Sequence, residues 1–141
     1  MAIAPTVLAD KSALARLRFP EVEAVLSPLI LSGEVATCGI IELEILFSAR
    51  SHLEFDAIRL ERAWSFPLVP ILQVDFERAV EVMGELARRG LHRAVGISDL
   101  VISAVAEPER LTVLHYDTDF DLVTGITRQS MRWVVPRGTV P

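Results

Sequence analysis

The stretch Thr6-Val7-Leu8-Ala9-Asp10-Lys11-Ser12-Ala13-Leu14 decides the fold class. Its first four residues form a short apolar run that reads as a buried strand, and a helix is expected from Ser12 towards Phe19. Between them stands Asp10, an acid closing a buried element. Carboxylates are almost never fully buried unless they are paired or bound to metal. The pattern therefore announces both an alternating α/β chain and a place where chemistry can sit.

Working outward, the alternation continues. Pro20 suits the first position of a helix that runs through Glu21–Leu31 to Gly33. Val35–Cys38 reads as a second strand and Ile40–Ser48 as a helix with Ile40, Glu44 and Phe47 on one side. A helix over Phe55–Trp64 stops before Pro67 and Pro70. Asp75–Arg89 has amphipathic spacing, with Asp75 as its expected N-cap and Gly90 just past its end. Ser98 is the expected cap of Asp99–Ala106, which is apolar all round and so should be buried. Thr112–His115 and Met131–Val135 complete the strands, and the tail after Pro136 is expected to be loose. Strands alternating with helices predict an α/β fold with a mainly parallel central sheet flanked by helices, in one domain over residues 1–141. The aromatic segment Leu53, Phe55, Trp64 and Phe66 is expected in the core, or, if exposed, at a protein interface.

Three further acids share the setting of Asp10. Glu44 lies on the Ile40/Phe47 face, expected to point inward; Asp99 opens an apolar helix; Asp117 follows the strand Thr112–His115. Sites in parallel sheets lie beyond the carboxyl ends of the strands, where these residues gather. Glu42 competes with Glu44, but two helical residues point roughly 200° apart, and only Glu44 shares the Ile40 face. Taken singly, each acid is better read as a cap, a turn residue or a solvated charge. Together they form an oxygen-only set of the kind that Mg²⁺ or Mn²⁺ prefers.

Bulk properties narrow the alternatives. The 141 residues are 51% hydrophobic and 23% charged, as in a globular protein. No uncharged run reaches the roughly 18 residues of a membrane helix, and no signal peptide is evident, so a cytoplasmic location is expected. The net charge of −5 argues against nucleic-acid binding by simple counterion release, but not against an enzyme that holds phosphate through metal. The single cysteine, Cys38, excludes an internal disulfide and reads as a core residue. Asp117-Thr118-Asp119-Phe120-Asp121 begins like a calcium loop, yet Leu122 and Arg128 stand where glycine and glutamate are required. A phosphoacceptor signalling domain is disfavoured because Lys11, the only lysine, adjoins Asp10.

With these residues assembled, the chain resembles the PIN-domain family and, within it, the VapC-type toxins. The resemblance rests on Val7–Leu14, on Glu44-Ile45-Leu46-Phe47-Ser48-Ala49-Arg50, on His92-Arg93 ahead of Ser98–Ala104, and on His115–Asp121. It implies a Mg²⁺- or Mn²⁺-dependent endoribonuclease with metal-binding acids at Asp10, Glu44, Asp99 and Asp117, an accessory acid at Asp119, and Ser12 orienting Asp10 or a water. Whether Asp117 or Asp119 is the closer ligand stays open. It further implies in-line hydrolysis of RNA to a 5′-phosphate and a 3′-hydroxyl, a VapB-type antitoxin that covers the site, and a homodimer. A DNA-directed nuclease and a catalytically silent partner-binding domain are the alternatives. Lys11 and Arg93 are candidates for RNA contact, whereas His52, His92 and His115 read as structural or surface residues.

Overall fold

In the computed structural model, residues 4–141 are described. Strands β1 (Val7–Ala9), β2 (Val35–Ala36), β3 (Thr112–His115) and β4 (Met131–Trp133) form one sheet in the order β2-β1-β3-β4. Every pairing is parallel, with Leu8 opposite Ala36 and Val113, and His115 opposite Trp133. The two-residue side-chain period of a strand sorts the core into layers. Leu8, Ala36 and Val113 face α3 (Gly39–Phe47) and α6 (Ile97–Ala106), through Ile41, Val101, Ile102 and Val105. Val7, Ala9, Val35 and Leu114 face α2 (Pro20–Leu31), through Val22 and Leu26. Each fully buried valine, leucine or isoleucine among them contributes about 1.5–3 kcal/mol of transfer free energy. The first layer is extended by α5 (Gln73–Arg88), which packs Ala79, Val82 and Leu86 against Leu100 and Ala104 of α6. The remaining helices are α1 (Lys11–Leu14), α4 (His52–Ser65) and α7 (Asp119–Thr127). All eight side chains from Asp99 to Ala106 are buried, as the all-apolar pattern of that helix requires.

Several boundaries differ from expectation, each for a local reason. Helix α1 spans only four residues, and Asp10 is its N-cap. Ser51 caps α4 through the Glu54 N–H, so that helix begins at His52 rather than Phe55. Asp75 is not the N-cap of α5; it sits at the third helical position, and its carboxylate accepts the Leu72 N–H at 2.8 Å. At α6 the cap position belongs to Gly96, not Ser98. Cys38 is buried, as expected.

Two expectations are corrected. The tail after Pro136 is tied down, not loose. The Tyr116 hydroxyl donates to the Val140 carbonyl at 2.7 Å and accepts the Gly138 N–H at 2.8 Å. Val140 is buried with the α2 layer, and Arg16 Nε donates to the Pro141 carbonyl oxygen at 2.8 Å. Leu53 and Trp64 are not core residues but are 82% and 86% exposed, while Phe55 and Phe66 are half-buried. Among the described residues, no helix is long and apolar enough to cross a membrane.

Candidate active site

The carboxyl ends of β1 and β3 lie side by side, and the Asp10 N–H donates to the Leu114 carbonyl at 2.9 Å. That register brings the acids together. Asp10 is buried; its Oδ2 accepts from the Ser12 N–H at 3.0 Å and from the Ser12 hydroxyl at 2.5 Å. The same hydroxyl oxygen accepts the Tyr116 N–H at 2.9 Å, so Ser12 joins the ends of both strands. Asp10 Oδ1 is also buried and has no hydrogen-bond partner among the described residues.

Asp99 occupies the third position of α6 and is buried, at 8% exposure. Asp117 follows β3, and its Oδ1 accepts the Asp119 N–H at 2.9 Å. Asp119 Oδ2 in turn accepts the Gly96 N–H at 3.0 Å, which ties the start of α7 to the start of α6. Oxygens of Asp99, Asp117 and Asp119 lie within 4.8 Å of one another. Asp10 adjoins this trio, and its charge acts on Asp99. Glu44 comes from α3 and repels Asp10 from the other side. Its face does not point inward as expected: Phe47 is 90% exposed, and Ile40, Leu43, Glu44 and Phe47 line an open cleft with Lys11 and Ser98. Glu44 thus stands at the rim, although its Oε1 is buried and without a partner among the described residues.

The electrostatics follow from crowding like charges in a dry place. Burial first, then the charge of Asp10 and a hydrogen bond with Asp119, push the Asp99 carboxyl up to about 9. Asp10 is also raised, by burial and by the charges of Glu44 and Asp117, with the two Ser12 hydrogen bonds opposing. Among the described residues, none of the ion pairs involves Asp10, Glu44, Asp99, Asp117 or Asp119. His115, beside the cluster, is buried and packs its ring at a tilt against Phe120 and Trp133, at centroid distances of 4.8 and 5.1 Å. Burial lowers its pKa, and its Nδ1 accepts the Asp117 N–H at 3.2 Å, so it braces the turn as a neutral ring.

The site also uses one residue that sequence reasoning did not single out. Gly96 supplies a backbone donor, and a Cβ there would sit 3.4 Å from Asp99 Oδ2 and 3.8 Å from Asp119 Oδ2. Its only trace in the sequence is a glycine just ahead of Ser98-Asp99. Glu42, rejected in favour of Glu44, is bound by Arg62 with a shortest contact of 2.6 Å. Asp121, outside the cluster, accepts the Trp133 indole N–H at 3.0 Å. A groove of about 550 Å³ opens between α2, α3 and α4, with Lys11, Leu17, Ile30, Ile45, Ile58 and Phe66 among its walls.

An oxygen-only set, buried at Asp10 and Asp99, self-repelling and, among the described residues, in no ion pair, has the donor chemistry that hard cations prefer. Comparison with known proteins agrees in family. The chain is 42% identical over 132 residues to "Ribonuclease VapC21" of Mycobacterium tuberculosis, covering 94% of this chain and 96% of that one. It is 38% identical over 133 residues to "Ribonuclease VapC51" of the same organism, covering 94% and 96%. Its fold superposes on a chain of a toxin–antitoxin complex from Klebsiella pneumoniae with a TM-score of 0.71 and 22% identity, covering 92% and 98%. The PIN domain model matches residues 7–126, so this chain belongs to the PIN-domain family and stands among its VapC ribonucleases.

Proposed function

We propose that the protein is a VapC-type toxin, an endoribonuclease that requires Mg²⁺ or Mn²⁺ and hydrolyses RNA phosphodiester bonds. The observation that carries this reading is the convergence of Asp99, Asp117 and Asp119 within 4.8 Å beside Asp10, with no ion pair to any of them among the described residues. The donor chemistry fits a hard divalent cation. Every candidate donor is a carboxylate oxygen, Asp10 Oδ1 and Glu44 Oε1 are buried without partners, and the nearby His115 Nδ1 is already engaged. Asp10, Asp99, Asp117 and Glu44 would hold the cation, with Asp119 as accessory. When bound, such a cation supplies Lewis acidity, neutralising charge on a phosphodiester and making a water acidic enough to attack.

The chain's own residues do the positioning. Ser12 fixes Asp10 Oδ2 and so leaves Oδ1 free for the cation. The Gly96 N–H and the Asp117 carboxylate fix Asp119. The neutral His115 ring holds the Asp117 backbone without adding a charge that would compete for the acids. Lys11, between Asp10 and the rim cleft, is placed to meet a phosphate of the substrate. The net charge of −5 favours substrate capture through cation and local contacts over bulk attraction.

The partners follow the family. A VapB-type antitoxin would neutralise the enzyme by laying a peptide along the groove beside Lys11 and over the acids. A homodimer and a cytoplasmic location complete the reading, with tRNA, rRNA or mRNA as the target class.

Antitoxin-free protein incubated with total cellular RNA tests this directly. Discrete products are expected with Mg²⁺ or Mn²⁺, none with EDTA, and none from Asp99→Asn. Equal cleavage by Asp99→Asn would refute the assignment, and cleavage of single-stranded DNA alone would favour the DNA-directed nuclease.

A further inference from the structure

We propose that the ion pair between buried Arg62 and half-buried Glu42 is a positioning device for Glu44: it sets the roll of α3 and thereby the cation affinity of the acid site. The inference rests on the metal reading of that site. Glu44 has no tether of its own, because its buried Oε1 is unpartnered. Its place depends on α3, whose only fully buried side chain is Ile41, with Ile40 and Ile45 half-buried against the core.

Glu42, two residues earlier, is held instead. Arg62 Nε donates to both Glu42 oxygens at 2.9 Å, and Arg62 Nη2 donates to Oε2 at 2.6 Å. The Thr37 hydroxyl donates to the same Oε2 at 2.6 Å. Arg62 itself is 7% exposed and lies over the Phe66 ring at 4.4 Å. Thr37 is fixed in turn, since its N–H donates to the Pro67 carbonyl and its carbonyl accepts the Val69 N–H. Glu42 is therefore moored to the end of β2 and to both α4 and the segment after it. Residues two apart on a helix face roughly opposite sides. One flank of α3 is pinned while the other presents Glu44, and α3 cannot roll without breaking the pair. A planar guanidinium bound through several N–H groups resists rotation in a way that a point charge does not. Net stability is a poor account of such a pair, because buried ion pairs often contribute little against apolar replacements of similar volume.

The test is Mn²⁺ titration followed by electron paramagnetic resonance of the free ion, on wild type, Asp99→Asn, the double variant Glu42→Leu/Arg62→Met, and Arg62→Lys. RNA cleavage is measured alongside. Wild type should bind Mn²⁺ and Asp99→Asn should not; if wild type binds none, the metal reading fails and this inference with it. The double variant removes both charges together and should fold, yet bind Mn²⁺ about 10–100-fold more weakly, the usual cost of losing support behind a ligand. Its kcat should fall while KM for RNA stays within about threefold. Arg62→Lys keeps the charge but loses the fork and should weaken Mn²⁺ binding severalfold. Wild-type Mn²⁺ affinity in either folded variant, with wild type and Asp99→Asn behaving as stated, overturns the proposal and leaves the metal reading intact.

Discussion

Asp99→Asn should make the metal-free protein more stable, and the gain should grow with pH. In the fold the Asp99 carboxyl is raised from its ordinary 3.8 to about 9. Between those values the folded state binds more protons than the unfolded chain, so stability falls as pH rises. It is fully present below pH 3.8 and lost progressively towards pH 9. At about 1.4 kcal/mol per pH unit, the loss by pH 7 has an upper bound of about 4–5 kcal/mol. Asparagine recovers only part of this, because Asp10, Asp117 and Asp119 still repel one another. Its amide can nevertheless donate to Asp119 as the protonated acid does. A gain of about 1–2 kcal/mol, or roughly 3–8 °C in Tm for a chain of this size, is expected at pH 7. Thermal melts in EDTA at pH 5, 7 and 8.5 measure it: the two proteins should converge at pH 5 and separate at pH 8.5. Adding Mn²⁺ should raise the Tm of wild type and leave the variant in place. A variant that melts at or below wild type in EDTA at pH 8.5 would show that Asp99 is not strained by its neighbours, and the electrostatic argument would fail.

Ser12→Ala removes the hydroxyl that donates to Asp10 and accepts from Tyr116. It should cost about 1–3 kcal/mol in stability and weaken Mn²⁺ binding about tenfold or more; melts and the Mn²⁺ titration report the two effects separately, and wild-type affinity would show that Asp10 needs no such support. Tyr116→Phe removes the hub of the C-terminal segment, which joins Gly138 and Val140. Amide exchange at these two residues should accelerate, with Tm lower by about 2–5 °C for a loss near 1 kcal/mol. Unchanged exchange would mean that burial of Val140 alone holds the tail.

The strands and the acids were legible because both are written locally. Apolar runs closed by Asp10 and followed by Asp117 state where the sheet ends, and the all-apolar run after Asp99 states that its helix is buried. What was misread depends on contacts between distant residues. The tail reads as loose because nothing in Arg137–Pro141 announces that Tyr116 and Arg16 will hold it. Gly96 reads as a spacer because a backbone N–H leaves no mark on composition, although Asp119 depends on it. The Glu44 face reads as inward because periodicity identifies a face but not what covers it. Leu53 and Trp64 read as core for the same reason, and the fold leaves both exposed.

Glu42 and Glu44 make the point most sharply. They are two residues apart in one helix, of one residue type, and have opposite fates: one is bound by Arg62 from 20 positions away, the other left without a counter-charge. The same contrast runs through the molecule. Arg62 and Arg78 are spent on Glu42 and Glu107, and Arg16 on backbone carbonyls and the Tyr116 ring. None is spent on the cluster of Asp10, Asp99, Asp117 and Asp119. An arginine there would stabilise the fold and fill the place of the cation. A ligand that binds only the folded state stabilises it by RT ln(1 + [L]/Kd), about 1.4 kcal/mol at ten times Kd. On the proposed metal reading, the repulsion that weakens the metal-free protein is therefore the same free energy that would strengthen cation binding. Variants that relieve it should gain stability and lose affinity together, whereas loosening α3 at Arg62 should cost affinity without relieving the repulsion among the aspartates.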